Sequence, residues 1–237
     1  MRLHEPVLPV LGPERPLELV EAGQVPALEE LRLHQGTVWR WNRAIYDPAE
    51  GGHLRVELRA LPAGPTVVDM LANAAFALGL TLALAPEAGH WTRRVAFQQA
   101  HHNFYRAAQL GLGAELAWPL GPGGRVVTVP AHQLVRRLLP VARQGLEDAG
   151  VAAEEAGRRL AVIEARVAAG QTGAVWQRRA LAALEGRGSG GLKPSPPEGR
   201  GSGGLGGREA ALAAMLERYL CLQRTGDPVH SWPLPAA

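Results

Sequence analysis

The chain has 237 residues, of which 46% are hydrophobic, a composition that supports a folded core and excludes a wholly disordered protein. Its net charge is +3, but Lys193 is the only lysine and the arginines are scattered, which argues against a polyanionic partner such as nucleic acid. Cys221 is the only cysteine, so an internal disulfide is excluded and a reducing, cytoplasmic location is predicted.

The N-terminal part of the chain predicts an extended segment followed by strands. Residues 1–27 are rich in proline and lack periodicity, so they are predicted to be an extended lead-in. Residues 31–61 are predicted to hold strands, with LRLH at 31–34, GTVWRWNRAIY at 36–46 and HLRVELRAL at 53–61. The DPAEGG segment at 47–52 has the composition of a turn, so the last two strands are expected to form an antiparallel pair.

Helical patterns dominate the chain after Pro62 and Pro65 end the last strand. Thr66 is predicted to cap the first helix, with Asp69 as its partner in a capping box. Residues 67–85 are just long enough to span a membrane, but Asp69 and Asn73 interrupt them, so a buried helix is the preferred interpretation and no membrane contact is predicted. Helices are predicted at 67–84, 95–110, 131–147, 153–169 and 173–184, with an extended piece at 125–129.

The segment at 185–207 differs in composition from the residues around it. EGRGSGGL occurs at 185–192 and again at 198–205, with KPSPP between the two copies. A segment so rich in Gly, Ser and Pro cannot pack a core and is predicted to be a flexible linker or insertion. It separates a predicted partial catalytic domain at 28–184 from a C-terminal helix and tail at 208–237, in which the helix covers 208–224.

The strand HLRVELRAL carries the pattern that is most informative about chemistry. Alternation places Leu54, Val56 and Leu58 on one face. It places Arg55, Glu57 and Arg59 together on the other. A carboxylate can bind Mg²⁺, and guanidinium groups can hold phosphate or carboxylate oxygens in bidentate fashion. The same row also fits an ordinary solvent-exposed ladder of charges on a sheet face, and the row alone does not separate the two.

The order of parts around this strand resembles the C-terminal part of the glutamate–cysteine ligase family, within the glutamine-synthetase-like superfamily. Residues 36–80 contain Asn42-Arg43, then Arg55-x-Glu57-x-Arg59, then a bend from Pro62 to Pro65, then an apolar helix from Val67. Three further segments resemble the same family: NFYRAAQLGL at 103–112, GQTGAVWQ at 170–177 and DPVHSW at 227–232.

This resemblance implies an α+β fold with a small antiparallel sheet, whose concave face is polar, followed by a helical subdomain. It implies an ATP-dependent ligase that converts a carboxylate, such as that of glutamate, into an acyl phosphate and then joins it to an amine. By position, Glu57 would bind Mg²⁺ and Arg59 would stabilise the transferring phosphoryl group. Arg55 would contact the nucleotide phosphates or the acid, and Arg43 is a second candidate for nucleotide binding.

Family members carry further metal-binding carboxylates in a long N-terminal portion, which residues 1–30 do not resemble. The resemblance therefore covers the C-terminal half of the family only. This fits a natural split subunit that a separate polypeptide completes, a truncated reading frame or a remnant, and the sequence does not separate the three. Two alternatives stay open. One is a non-catalytic module that binds a metabolite or nucleotide. The other is a nucleic-acid-binding protein in which Trp39 and Trp41 stack on bases, an alternative that the scattered arginines disfavour.

Overall fold

A computed structural model describes residues 12–37, 42–61, 63–120, 124–186 and 205–235. The chain divides into two compact units, Met1–Pro62 and Ala63–Ala237. Within the described residues most elements are helices, and the strands form two antiparallel pairs. The prediction of an α+β protein is confirmed in this broad sense.

The first unit contains two helices and a hairpin. In chain order these are α1 (Pro16–Glu21), α2 (Glu29–Thr37), β1 (Asn42–Asp47) and β2 (His53–Leu58). The predicted pairing of the two strands is confirmed. Gly52 lies in the connection with a φ of 80°, and a Cβ atom there would be 2.9 Å from a methyl group of Val25. Glycine is therefore required at this turn for both conformational and steric reasons.

Two predictions for the first unit are wrong. Residues 31–34 and the first two residues of the strand predicted at 36–46 are helical rather than extended, because α2 runs to Thr37. Leu31 and Leu33 alternate with polar residues over only four positions, a pattern that a helix also accommodates. Glu29 and Glu30 favour a helix N-terminus at this point through the helix dipole. The lead-in is likewise not extended throughout, since α1 is a helix with Pro16 at its start. Residues 1–11 and 38–41 lie outside the described residues.

The second unit is built from helices and one short strand pair. Its elements are α3 (Val67–Leu84), α4 (Ala88–Arg94), α5 (Phe97–Leu110), β3 (Glu115–Trp118), β4 (Val127–Pro130), α6 (Ala131–Asp148), α7 (Ala153–Ala169), α8 (Gly173–Leu184) and α9 (Leu205–Thr225). The predicted helices are confirmed with small boundary shifts, and β4 confirms the extended piece. Helix α4 and strand β3 were not predicted.

The predicted linker at 185–207 is too long at its C-terminal end, because α9 already begins at Leu205. Residues 187–204, which include most of both EGRGSGGL copies, lie outside the described residues. The C-terminal helix predicted at 208–224 is confirmed as part of α9.

Helices α3, α6 and α7 pack on one another and form the centre of the second unit. The crossing of α3 and α6 is a direct contact of backbones, in which a Cβ atom on Gly79 would overlap the carbonyl oxygen of Ala142. A Cβ atom on Gly145 would in turn overlap the carbonyl oxygen of Gly79. Buried side chains from α6 and α7 pack beside this crossing: Ala142, Leu146, Ala156 and Leu160.

Helix α3 is buried on one side only. Asp69, Ala72 and Gly79 are buried, and the helix packs against α6 and α7, whereas Val67 and Leu78 are 64% and 50% exposed. The prediction of a buried helix therefore holds for one face. The helical run Val67–Arg94 is long and apolar enough to cross a membrane by length and composition, a criterion that core helices of soluble proteins also meet. The absence of membrane contact stays a prediction.

Candidate functional site

The polar face of the β1–β2 hairpin brings most of the predicted site residues together. In the strand register Arg43 lies opposite Glu57, and Ile45 lies opposite Arg55. Because side chains of directly paired residues share a face, Arg43, Arg55 and Glu57 lie on the same side of the hairpin. Arg59 follows the last residue of β2, and its Nε lies 2.9 Å from Glu57 Oε1. This arrangement agrees with the predicted polar row.

Glu57 is the centre of this face. Its Oε2 accepts a hydrogen bond from Arg43 Nε at 2.8 Å, and its Oε1 is the atom paired with Arg59. Hydrogen bonds from the Arg59 guanidinium and, to a smaller extent, from that of Arg43 hold the pKa of the Glu57 carboxyl below its usual range. Glu57 is therefore ionised at neutral pH, with each oxygen already bonded to an arginine.

The other end of the face is arranged around Arg55 and Asp47. Arg55 Nη1 donates to Asp47 Oδ2 at 3.0 Å and to His53 Nε2 at 3.1 Å. Asp47 Oδ1 accepts the backbone N–H of Ala49 at 3.1 Å. The hydrogen bond from the Ala49 N–H and, to a smaller extent, that from the Arg55 guanidinium lower the pKa of the Asp47 carboxyl. The Arg55 side chain is 50% exposed, so it also reaches solvent.

A cavity of about 200 Å³ lies between helix α2 and this end of the hairpin. Two apolar side chains line it, Leu31 of α2 and Ile45 of β1. Four charged side chains also line it: Arg32, Arg43, Asp47 and Arg55. Arg32 was not among the predicted site residues, and the segment around it was predicted to be a strand. No sequence signal marked it, since its position in the wall depends on how α2 packs against β1.

The described residues around Glu57 do not form a magnesium site. Mg²⁺ requires several oxygen ligands in octahedral geometry, whereas both oxygens of Glu57 accept hydrogen bonds from arginines. Among the described residues there is also no group of three or more His, Cys, Asp or Glu side chains that could hold a metal ion. A metal role for Glu57 therefore stays a prediction and requires carboxylates from outside the described residues.

No protein-family model, curated protein or solved structure matches the chain. Membership of the glutamate–cysteine ligase family therefore stays a prediction that depends on the sequence motifs.

Two of the segments that resemble the ligase family contribute to a buried polar cluster in the second unit. Asp69 is completely buried, and its carboxylate accepts hydrogen bonds from Arg166 Nη2 at 2.6 Å, from the Thr66 hydroxyl at 3.0 Å and from the backbone N–H of Val229 at 3.0 Å. Thr66 caps α3 as predicted, by accepting the N–H of Asp69. The predicted capping box is not formed, because the Asp69 carboxylate accepts the Thr66 hydroxyl instead of the Thr66 backbone N–H. The Asp69 carboxylate faces Arg166 and the C-terminal tail, so it joins three separate parts of the chain.

Gln171 fixes the same tail from the other side. Its Nε2 donates to the carbonyl oxygens of Val229 at 2.9 Å and Trp232 at 3.0 Å. Trp176 is completely buried and stacks edge-on against Trp232, with ring centroids 5.4 Å apart. The segments 170–177 and 227–232 therefore hold the tail on the helices, which is a structural role.

The segment 103–112, which also resembles the ligase family, has a structural role too. The side chain of Asn103 on α5 donates to the carbonyl oxygen of Ala117 and accepts its N–H, each at 2.8 Å. Asn103 thereby pairs with the backbone of β3 in the way that a neighbouring strand does. This bond attaches the short strand pair to the helical core.

Proposed function

We propose that this chain supplies part of the active site of an ATP-dependent carboxylate–amine ligase of the glutamate–cysteine ligase type. The observation that carries the proposal is the polar hairpin face, on which Arg43 and Arg59 pair with Glu57 and Arg55 lies on the same side. Such a face concentrates guanidinium groups where a nucleotide and an acid would bring negative charge. The glutamine-synthetase-like fold, with this face as its concave side, is part of the same proposal.

The chemistry consists of two steps. A carboxylate oxygen of the acid attacks the γ-phosphorus of ATP, the bond from that phosphorus to the β-bridging oxygen breaks, and ADP leaves. The amine nitrogen then attacks the acyl carbon, phosphate leaves with the electron pair of the broken C–O bond, and the nitrogen loses a proton. Phosphoryl transfer depends chiefly on positioning and on neutralising charge, which arginines provide.

In this proposal Arg59 meets the charge on the transferring phosphoryl group, and Arg55 binds the acid. Arg43 contacts the nucleotide. Glu57 orients Arg43 and Arg59, because it bonds to the Nε of each. The metal that such chemistry uses, Mg²⁺, would neutralise phosphate charge, and the carboxylates that hold it would come from a partner polypeptide.

A second candidate is a module that binds a nucleotide or an acidic metabolite without turnover. The observation in its favour is that both oxygens of Glu57 are already bonded to arginines. The two candidates make the same prediction for binding and differ in catalysis. The nucleic-acid alternative depends on Trp39 and Trp41, which lie outside the described residues.

The test is an assay of ATP-dependent phosphate release with glutamate and an amine, using the full chain alone and together with the polypeptide encoded by the adjoining upstream reading frame. We expect no turnover by the chain alone, because metal-binding carboxylates are missing from its described residues. With the partner, Arg59→Lys should lower kcat by about 10²–10³-fold, because lysine keeps the charge but loses the guanidinium fork.

Arg158→Lys is the matched control, because Arg158 is 66% exposed on α7 and pairs with Glu155 on the same helix. It should leave the rate unchanged. Glu57→Gln should also lower kcat, and a Mg²⁺ titration then separates its two possible roles. An increased Mg²⁺ requirement would assign Glu57 to the metal, and an unchanged requirement would assign it to the arginines. Normal rates for both Arg59→Lys and Glu57→Gln would refute the ligase proposal.

A further inference from the structure

We propose that the cavity between α2 and the hairpin binds a small organic acid and that Arg32 is a carboxylate-binding residue of this site. The inference rests on the proposed function in treating the acid as a substrate. It adds a residue from α2 to the site and separates the position of the acid from that of the nucleotide.

The pairing of the charged side chains identifies Arg32 as the residue available to a ligand. Arg43 and Arg59 pair with Glu57, and Arg55 pairs with Asp47. Arg32 lines the same cavity and forms no ion pair with any residue in the described part of the chain. An exposed guanidinium beside two others is a favourable place for a carboxylate, because its fork matches the two oxygens.

The size of the cavity selects a small ligand. Pockets for drug-sized molecules usually measure roughly 300–1,000 Å³, and this one measures about 200 Å³. At ~30 Å³ of liquid volume per water molecule, that space corresponds to roughly seven waters. An amino acid is small enough for such a space, whereas a nucleoside triphosphate is larger than it. In this proposal the nucleotide therefore lies towards Arg59, which is not among the described residues of the cavity wall.

Asp47 is the one acid among the described residues of the wall, and it gives the site a polarity. Asp47 lies in the wall with Arg55, and its backbone and side-chain partners hold it as an anion. An ammonium group is favoured beside this carboxylate, and a second carboxylate is disfavoured there. An amino acid such as glutamate, with its carboxylate at Arg32, adds an ammonium contact to the Asp47–Arg55 pair. The corresponding diacid, glutarate, brings no positive charge to Asp47, so glutamate is expected to be the better ligand.

The experiment measures binding to the full chain without a partner or turnover. L-Glutamate, glutarate and ATP are titrated separately, and binding is followed by calorimetry and by NMR shifts of the hairpin amides. We expect saturable glutamate binding at millimolar concentrations and weaker glutarate binding. Arg32→Gln should weaken glutamate binding by about 10- to 100-fold, the range expected for loss of a charged hydrogen bond, and Arg32→Lys should weaken it less. ATP binding should be the same in Arg32→Gln as in the wild type.

Arg15→Gln is the matched control, because it removes one positive charge from an exposed position of the same unit that is not part of the cavity wall. No glutamate binding at tens of millimolar, or equal weakening by Arg15→Gln and Arg32→Gln, would overturn the inference. Loss of ATP binding in Arg32→Gln with glutamate binding intact would also overturn it. Glutamate binding that depends on Arg32, in a chain that never shows ligase activity with its partner, would refute the proposed function and leave this inference standing.

Discussion

The carboxylate of Glu57 is bonded on both sides, and this determines what it can do. Arg43 bonds to it from the neighbouring strand β1, and Arg59 bonds to it from the position that follows the end of β2. Two donors stabilise the ionised form, which is why the pKa is lowered. A carboxylate in this position orients two guanidinium groups and leaves them less freedom than they would have on a bare surface.

Replacing one of these donors should raise the pKa of Glu57. Because Arg59 is the larger cause of the lowered pKa, Arg59→Gln should move the titration midpoint of Glu57 towards the ordinary value of about 4.3. The stability that Glu57 contributes is complete above this ordinary value and is lost as pH falls through its lower folded-state pKa. NMR titration of the Glu57 carboxyl carbon measures the shift directly. Arg158→Gln should leave the midpoint unchanged, and an equally unchanged midpoint in Arg59→Gln would contradict the pairing.

Alternation along one strand was enough to predict that Arg55 and Glu57 share a face, since the period of two depends only on the local backbone. The occupation of both Glu57 oxygens could not be predicted in this way. It depends on the register that places Arg43 opposite Glu57, a relation between two strands that neither strand encodes alone. Arg32 was missed for a similar reason, because its place in the cavity wall depends on packing.

At the scale of elements, long periodic helices were predicted well and short elements were not. Helix α6 combines an apolar face with a polar one over eighteen residues, whereas α2 offers only nine residues and β3 only four. A pattern of four residues fits both a strand and a turn of helix. In α2 the acidic first turn favoured the helix, and in β3 the side chain of Asn103 supplies the partner that a short strand needs.

The crossing of α3 and α6 should not tolerate a methyl group. We expect Gly79→Ala to destabilise the protein by about 1–3 kcal/mol, because the new Cβ would overlap the backbone of α6 and push the helices apart. Gly157→Ala in α7 is the control, since its Cβ would lie 3.7 Å from the nearest atom, in Arg143. There the change should stabilise by about 0.5–1 kcal/mol through helix propensity. Urea denaturation measures both, and equal effects at the two positions would disprove the close contact.

The tail should depend on Gln171. Gln171→Leu removes the donor to the carbonyl oxygens of Val229 and Trp232 and leaves buried acceptors unpaired. Each such group costs about 1–3 kcal/mol, so a clear loss in the free energy of unfolding is expected. Gln144→Leu serves as the control, because Gln144 is exposed and bonds only to Asp148 on its own helix. A loss no larger than that of the control would show that the bonds from Gln171 do not hold the tail.

At the scale of the whole molecule, the second unit has the interactions of an independent domain. Its buried clusters, the Asp69–Arg166 pair and the tail all lie within Ala63–Ala237. We expect a fragment of residues 63–237 to unfold cooperatively when followed by circular dichroism. A fragment of residues 63–226 lacks the tail and should melt at a lower temperature. A gradual, non-cooperative transition of the longer fragment would contradict this prediction.

The composition and the order of motifs predicted the broad class of the protein and a cationic hairpin face. The same motifs could not separate residues of a site from residues of the core. The segments 170–177 and 227–232 resemble those of a ligase, yet Gln171, Trp176 and Trp232 hold the fold together. A residue within such a motif can take part in chemistry or in packing. Its contacts in the structure, and not the motif, show which of these roles it has.

The bond from Val229 to Asp69 also has a consequence for how the chain folds. It joins residues 160 positions apart, and a contact of such separation forms late because the entropy of closing the loop must be lost first. The crossing of α3 with α6 spans fewer residues and can form earlier. Until that bond forms, we expect the tail to be undocked and the apolar surface that Trp232 covers to stay open. We expect the chain to be most prone to aggregate before the tail docks.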